Sequence, residues 1–143
     1  MGVFVAEVRP RWSDMDAFGH VNHANTVTLL EEARIDLLFV EATRHGAAGM
    51  AGGVVVARLV VDYHAPLLAT GATVRVEMSV REMRNAAFTL DYVVHSGLSE
   101  SDPVVATAET MLVPYDLKTG RPRRLSEAER DFLAAWRSGS NGA

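Results

Sequence analysis

The chain has 143 residues, 48% hydrophobic and 22% charged, enough for one packed domain and too apolar for disorder. Its formal net charge of −4 argues against a general nucleic-acid binder, and the lack of cysteine excludes disulfides, thiolate nucleophiles and cysteine-based zinc sites. With no signal-peptide pattern at the start and no apolar run near the ~18 residues of a membrane span, a soluble, cytoplasmic, non-membrane protein is expected.

Residues Val3 to Trp12 predict a first strand with Phe4, Ala6, Val8 and Trp12 on one face. From Ala24 to about Thr43 runs a helical pattern without a strong breaker, in which Leu30, Ala33, Leu37 and Val40 recur at helical spacing. Asn22 or Asn25 is placed to cap it, and Gly46 and Gly49 to end it. After Gly52-Gly53 the period becomes two. Val55, Ala57, Leu59, Val61 and Tyr63 predict one apolar strand face, ending before Pro66. Ala72, Val74, Val76, Met78 and Val80 alternate with polar residues in a half-buried strand.

A turn near Arg84-Asn85 leads to a strand with Phe88, Leu90, Tyr92 and Val94 on one face. A polar loop from Ser96 to Pro103 and a last strand from Val104 to Val113 follow, then a turn over 116–122. Ser126, with Glu129 three residues on, predicts a capped helix to about Trp136. The expected organisation is a single domain over 1–137 and a flexible tail over 138–143. The connections between the last four strands are too short for crossover helices, so an antiparallel α+β sheet wrapped around one long helix is expected.

The densest chemistry lies in Asp14-Met15-Asp16-Ala17-Phe18-Gly19-His20-Val21-Asn22-His23. Gly19 permits a tight turn, and a helix start follows at once. Such a start offers unpaired N–H groups and a positive dipole end, so a carboxylate beside it can attack a carbonyl while the amides stabilise the oxyanion. Asp14 and Asp16 both qualify as that carboxylate. His20 and His23 with the aspartates also fit a His-x-x-His metal reading, but no fourth ligand is evident.

The segment from Trp12 to Ala24, with Glu31-Glu32-Ala33-Arg34 downstream, resembles the hotdog-fold acyl-CoA thioesterases of the 4-hydroxybenzoyl-CoA thioesterase type. Asp62-Tyr63-His64-Ala65-Pro66, followed by Gly71 and the alternating strand, is similar to that family's second characteristic stretch. The resemblance covers most of the chain and implies a five- or six-stranded antiparallel sheet around a central helix. It implies Asp16 as catalytic nucleophile or general base and the His23 backbone N–H as the group polarising the thioester carbonyl. Gly19 would supply the turn, and Asn22 would position a water or fix the loop.

His20, His64, Val55, Leu59 and Arg84 are the expected substrate-binding residues, Arg84 for the coenzyme A nucleotide. Here the chain departs from the family's basic cluster, reading Arg84-Asn85-Ala86-Ala87. Arg58, Arg81 and the run Arg121, Arg123, Arg124 are the other cations weighed for that role. Glu31 and Glu32 fit exposed helix positions or partners for Arg34, although another hotdog subgroup uses a helix glutamate as base. His45 and His95 read as surface residues. No metal and no cofactor is expected, coenzyme A being part of the substrate. A homodimer or homotetramer is implied, with the acyl group held between subunits. The competing readings are a non-catalytic module binding acyl-CoA or acyl-carrier protein, and a hydratase, whose usual His/Asp or His/Glu arrangement is not seen.

Overall fold

The computed structural model describes residues 2–138, and so most of the predicted tail lies outside the described residues. Strand β1 (Phe4–Val8) is followed by a 3-10 turn (Trp12–Asp14) and helix α1 (His23–Ile35). The helix continues through a π-helical turn (Asp36–Glu41) into a last α turn, α2 (Ala42–Arg44). Strands β2 (Val54–Tyr63), β3 (Val74–Met83), β4 (Phe88–His95), β5 (Val104–Asp116) and the two-residue β6 (Arg121–Pro122) complete the sheet, and helix α3 (Glu127–Ala135) closes the chain. All pairings are antiparallel, in the order β1-β3-β4-β5-β2 with β6 on β5. The sheet curls around the long helix in the hotdog arrangement.

Alternation explains the core. Val74, Val76, Met78 and Val80 of β3 and Phe88, Leu90, Tyr92 and Val94 of β4 are buried against Leu29, Leu30, Ala33 and Leu37 of the helix. The opposite sheet face carries Arg58, Arg81, Asp91 and Glu109 in a chain of ion pairs.

Four expectations are corrected. Strand β1 stops at Val8, two residues before Pro10, whose ring nitrogen has no proton for a ladder, and Trp12 projects into solvent. In the helix, the π turn bonds Ala42 N–H to the Leu37 carbonyl, so Ala42 takes the buried position and Val40 is 44% exposed. In β2 the register shifts between Val56 and Arg58, leaving Ala57 as an extra residue that flips the alternation. Val54 and Val56 therefore share the helix-facing side with Leu59, Val61 and Tyr63, and Val55 points to the other face. His95 is buried, not superficial: Nδ1 lies 2.9 Å from the Asp102 carbonyl and Nε2 3.0 Å from Glu77.

Helix α3 begins with the reciprocal bonds of a capping box, Glu129 N–H to Ser126 Oγ and Ser126 N–H to Glu129 Oε1. Glu129 is only 1% exposed, and both its oxygens accept 2.7 Å bonds from Arg123, which also donates to the Gly49 carbonyl. Arg123 thus belongs to the fold and not to a nucleotide patch.

Candidate active site

The loop between β1 and α1 is a small hairpin. Met15 and Val21 pair across it, Asp16 N–H donates to the His20 carbonyl at 2.8 Å, and Asn22 N–H donates to the Asp14 carbonyl at 2.8 Å. Gly19 turns it with φ of 78°, a conformation that favours glycine. Asp16 sits on the outgoing arm, and the return arm runs directly into His23, the first residue of α1.

The two aspartates divide sharply. Asp14 is 4% exposed and accepts from Arg11 N, Nε and Nη2. Burial raises its pKa, but the bonds and charge of Arg11 outweigh that and hold the carboxyl below its usual range. Asp16 is half-buried, and only its Oδ1 is engaged, by Phe18 N–H at 2.8 Å and His20 N–H at 3.4 Å. Oδ2 stands outside these bonds. Asp14 is therefore tied to the scaffold, and Asp16 presents an oxygen.

Across the hairpin, Asn22 is the N-cap. Its side chain accepts Ala24 N–H at 2.9 Å, and its carbonyl accepts from Asn25 and Thr26. That leaves His23 N–H as the amide of the first turn with no hydrogen bond among the described residues. It is an open donor at the positive end of the helix dipole. Asn25 Nδ2 donates to the Asp14 carbonyl, fastening the helix to the outgoing arm.

The end of β2 and the residues after it complete the site. Tyr63 donates from Oη to the His23 carbonyl and sets its ring edge against the His23 imidazole, 6.4 Å between centroids. Val21 N–H donates to the Leu67 carbonyl at 2.7 Å, and His20 pairs with Leu68. Tyr63 and Leu67 are contacts of the site that the sequence pattern does not mark. The stretch over 62–66 was the available signal, but periodicity assigned Tyr63 to an apolar face.

Other candidates lie farther off. His64 turns to the outer face, where Nε2 meets Thr107 Oγ1 at 3.0 Å. Leu59 stands on the helix-facing side of the edge strand opposite Thr110. Arg84 follows the far end of β3, about 30 Å along the strand from Val74 beside the site, and pairs with Glu82. The fold does not bring Arg84 to Asp16 within one chain.

A groove of about 200 Å³ runs between α1 and β2, lined by Ile35, Leu38, Phe39, Val54 and Val56, with Arg34 at its wall. Arg34 donates to Tyr92 Oη, which bonds Thr110 Oγ1 in turn, and lies 3.8 Å from Glu31. Larger hollows lie on the charged outer face and beside α3, and Asp16 lines neither. Glu32 pairs with Arg11. Among the described residues no group of three or more His, Cys, Asp or Glu side chains is gathered for a metal ion, and no helix is long and apolar enough to cross a membrane.

A curled antiparallel sheet around one long helix, with a carboxylate on the hairpin that leads into that helix's start, is a hotdog framework. Solved structures agree. A Thermus thermophilus thioesterase, determined with coenzyme A and Zn, is 30% identical over 92% of each chain, with a TM-score of 0.72. The probable thioesterase YbaW of Escherichia coli is 26% identical, covers 90% of this chain and 95% of its own, and has a TM-score of 0.69. Slr0204, a 1,4-dihydroxy-2-naphthoyl-CoA thioesterase from Synechocystis, has a TM-score of 0.75 over 93% and 96%, but at 21% identity it speaks for the fold alone. No curated protein matches the chain. The model of the thioesterase-like superfamily matches residues 10–136, and the chain belongs to that family. It is a thioester hydrolase.

Proposed function

We propose that the protein hydrolyses an acyl-CoA thioester to a free carboxylic acid and coenzyme A, with Asp16 supplying the attacking or activating oxygen. The observation that carries this reading is that one hairpin and the helix start it leads into present both an unengaged Asp16 oxygen and an unpartnered His23 amide. As the carbonyl carbon is attacked, its oxygen gains negative charge where the helix start presents an N–H and a positive dipole. Two routes use the same carboxylate. In one, Asp16 forms a mixed anhydride, the CoA thiolate departs, and water then cleaves the anhydride. In the other, Asp16 takes a proton from water as it attacks and returns that proton to the departing sulfur.

The groove along α1 suits the acyl portion, being mostly apolar with one polar wall. Strand β2 is a sheet edge carrying Val55, Val56 and Leu59, each about 40% exposed or more, with one side of its backbone unpaired. Pairing of this edge with a second copy would bury those residues and enclose the groove, which supports a homodimer. The Thermus protein's coenzyme A supports the choice of thiol carrier.

One preparation tests both statements. Purified protein, assayed with acyl-CoAs of graded length and aromatic acyl-CoAs, should release free thiol from at least one class at enzymic rates. Its mass by sedimentation should be at least twice the 15.5 kDa of the chain. Binding of acyl-CoA without any release would favour the non-catalytic module, and a monomer that turns over would remove the dimer.

A further inference from the structure

The stretch over 62–66 carries no step of the chemistry above, yet its placement is specific. Tyr63 Oη reaches the His23 carbonyl at 2.5 Å across 40 residues of sequence. The first helical carbonyls already accept an amide four residues on, so the phenol occupies a second lone pair of the same oxygen. The tyrosine ring meets the imidazole edge-on, at 84°. Leu67 accepts from Val21, and Leu68 pairs with His20. One segment thus grips the return arm of the hairpin at residues 20, 21 and 23. Upstream, the grip is anchored by His64 and Ala65, whose amides both donate to the Val105 carbonyl. Burial raises the Tyr63 pKa, which favours the protonated, donating phenol.

Resting on the thioesterase reading, we propose that Tyr63 is a positioning residue: its hydroxyl and the Leu67–Leu68 backbone fix the first turn of α1 so that the His23 amide is already aimed where the oxyanion forms. A helix start is the part of a helix that frays, and a donor acts at full strength only if it need not reorganise during the reaction. Displacement of a reacting group by about 1 Å costs on the order of 100-fold in rate. The phenol acts through the His23 peptide and needs no contact with substrate.

The test is Tyr63→Phe, which keeps the ring and removes the hydroxyl. The expected result is a kcat reduced about tenfold with KM within about twofold, the signature of a contact felt in the transition state. The same change in an Asp16→Asn background should add little further loss, because the aimed amide then has no attack to assist. Hydrogen exchange of the bonded first-turn amides of Ala24, Asn25 and Thr26 supplies a readout independent of turnover and should be faster in Tyr63→Phe, while amides in β3 stay unchanged. Unaltered exchange of those first-turn amides would overturn the proposal. So would a rise in KM at constant kcat, which would mean that the phenol touches substrate. If the wild type cleaves no acyl-CoA, the activity reading falls, and the exchange comparison still decides for or against the clamp.

Discussion

Asp16→Asn lowers kcat on any acyl-CoA the wild type hydrolyses by about 10²- to 10⁴-fold, with KM changed by no more than about threefold. That is about 3–5 kcal/mol of transition-state stabilisation. The substitution is nearly isosteric. The amide oxygen can still accept from Phe18 and His20, so the Gly19 turn is preserved while the anionic oxygen is lost. Asp14→Asn is the matched control, two residues away. It removes the charge that accepts three bonds from Arg11, so it should lower the melting temperature while kcat on the folded protein stays within a few fold. Steady-state kinetics and melting curves on both variants check this contrast. Reversal of the two effects would transfer the chemistry to Asp14.

The largest effect on stability is expected at α3. Arg123→Met leaves the Glu129 carboxylate buried with only Ser126 as a partner, and breaking such a pair costs about 3–5 kcal/mol. Replacing both residues by apolar ones should restore much of the loss, because the stranded charge goes with its partner. The same pair gives the protein an acid-sensitive contribution. The hydrogen bonds from Arg123, opposed by burial and helped by Ser126, hold the Glu129 carboxyl below its usual range. A carboxylate whose folded pKa lies below its unfolded value stabilises the fold fully above the unfolded value. That contribution is lost as pH falls through the folded value. Urea unfolding should therefore show stability declining below about pH 4.5, and Glu129→Gln should flatten that decline. Asp14 and Glu77, also held low against burial by Arg11 and by Arg75 with His95, should keep a smaller acid slope in the variant. An acid limb identical in wild type and Glu129→Gln would contradict the assignment.

What was legible from the chain depended on how local its cause is. The alternation of β3 and the Ser126–Glu129 box need only near neighbours and stand as read, and of the two asparagines placed to cap the long helix, Asn22 is the cap. The two misplaced faces have one kind of cause. A single extra residue, at Ala57 in β2 and within the π turn of the helix, changes which side chains point inward, and the simple period has no mark for it. Val55 and Val40 lie off the faces that the simple period predicts for that reason. At the site, the cluster from Asp14 to His23 was visible, but the division of labour was not. Arg11 is close in sequence, yet only the folded turn shows it saturating Asp14 and leaving Asp16 available. Tyr63 meets its partner across 40 residues, beyond any local pattern. Arg84 rested on resemblance alone, and the antiparallel path of β3 carries it to the other end of the sheet.

The central claim is that a thioester carbonyl is held between the Asp16 carboxylate and the His23 amide. The most direct measurement is a crystal structure of the slowed Asp16→Asn protein with an intact acyl-CoA bound. The carbonyl oxygen should lie about 3 Å from His23 N, and its carbon should be within van der Waals contact of the residue 16 side chain. An acyl-CoA bound elsewhere, with water on the His23 amide, would contradict the account.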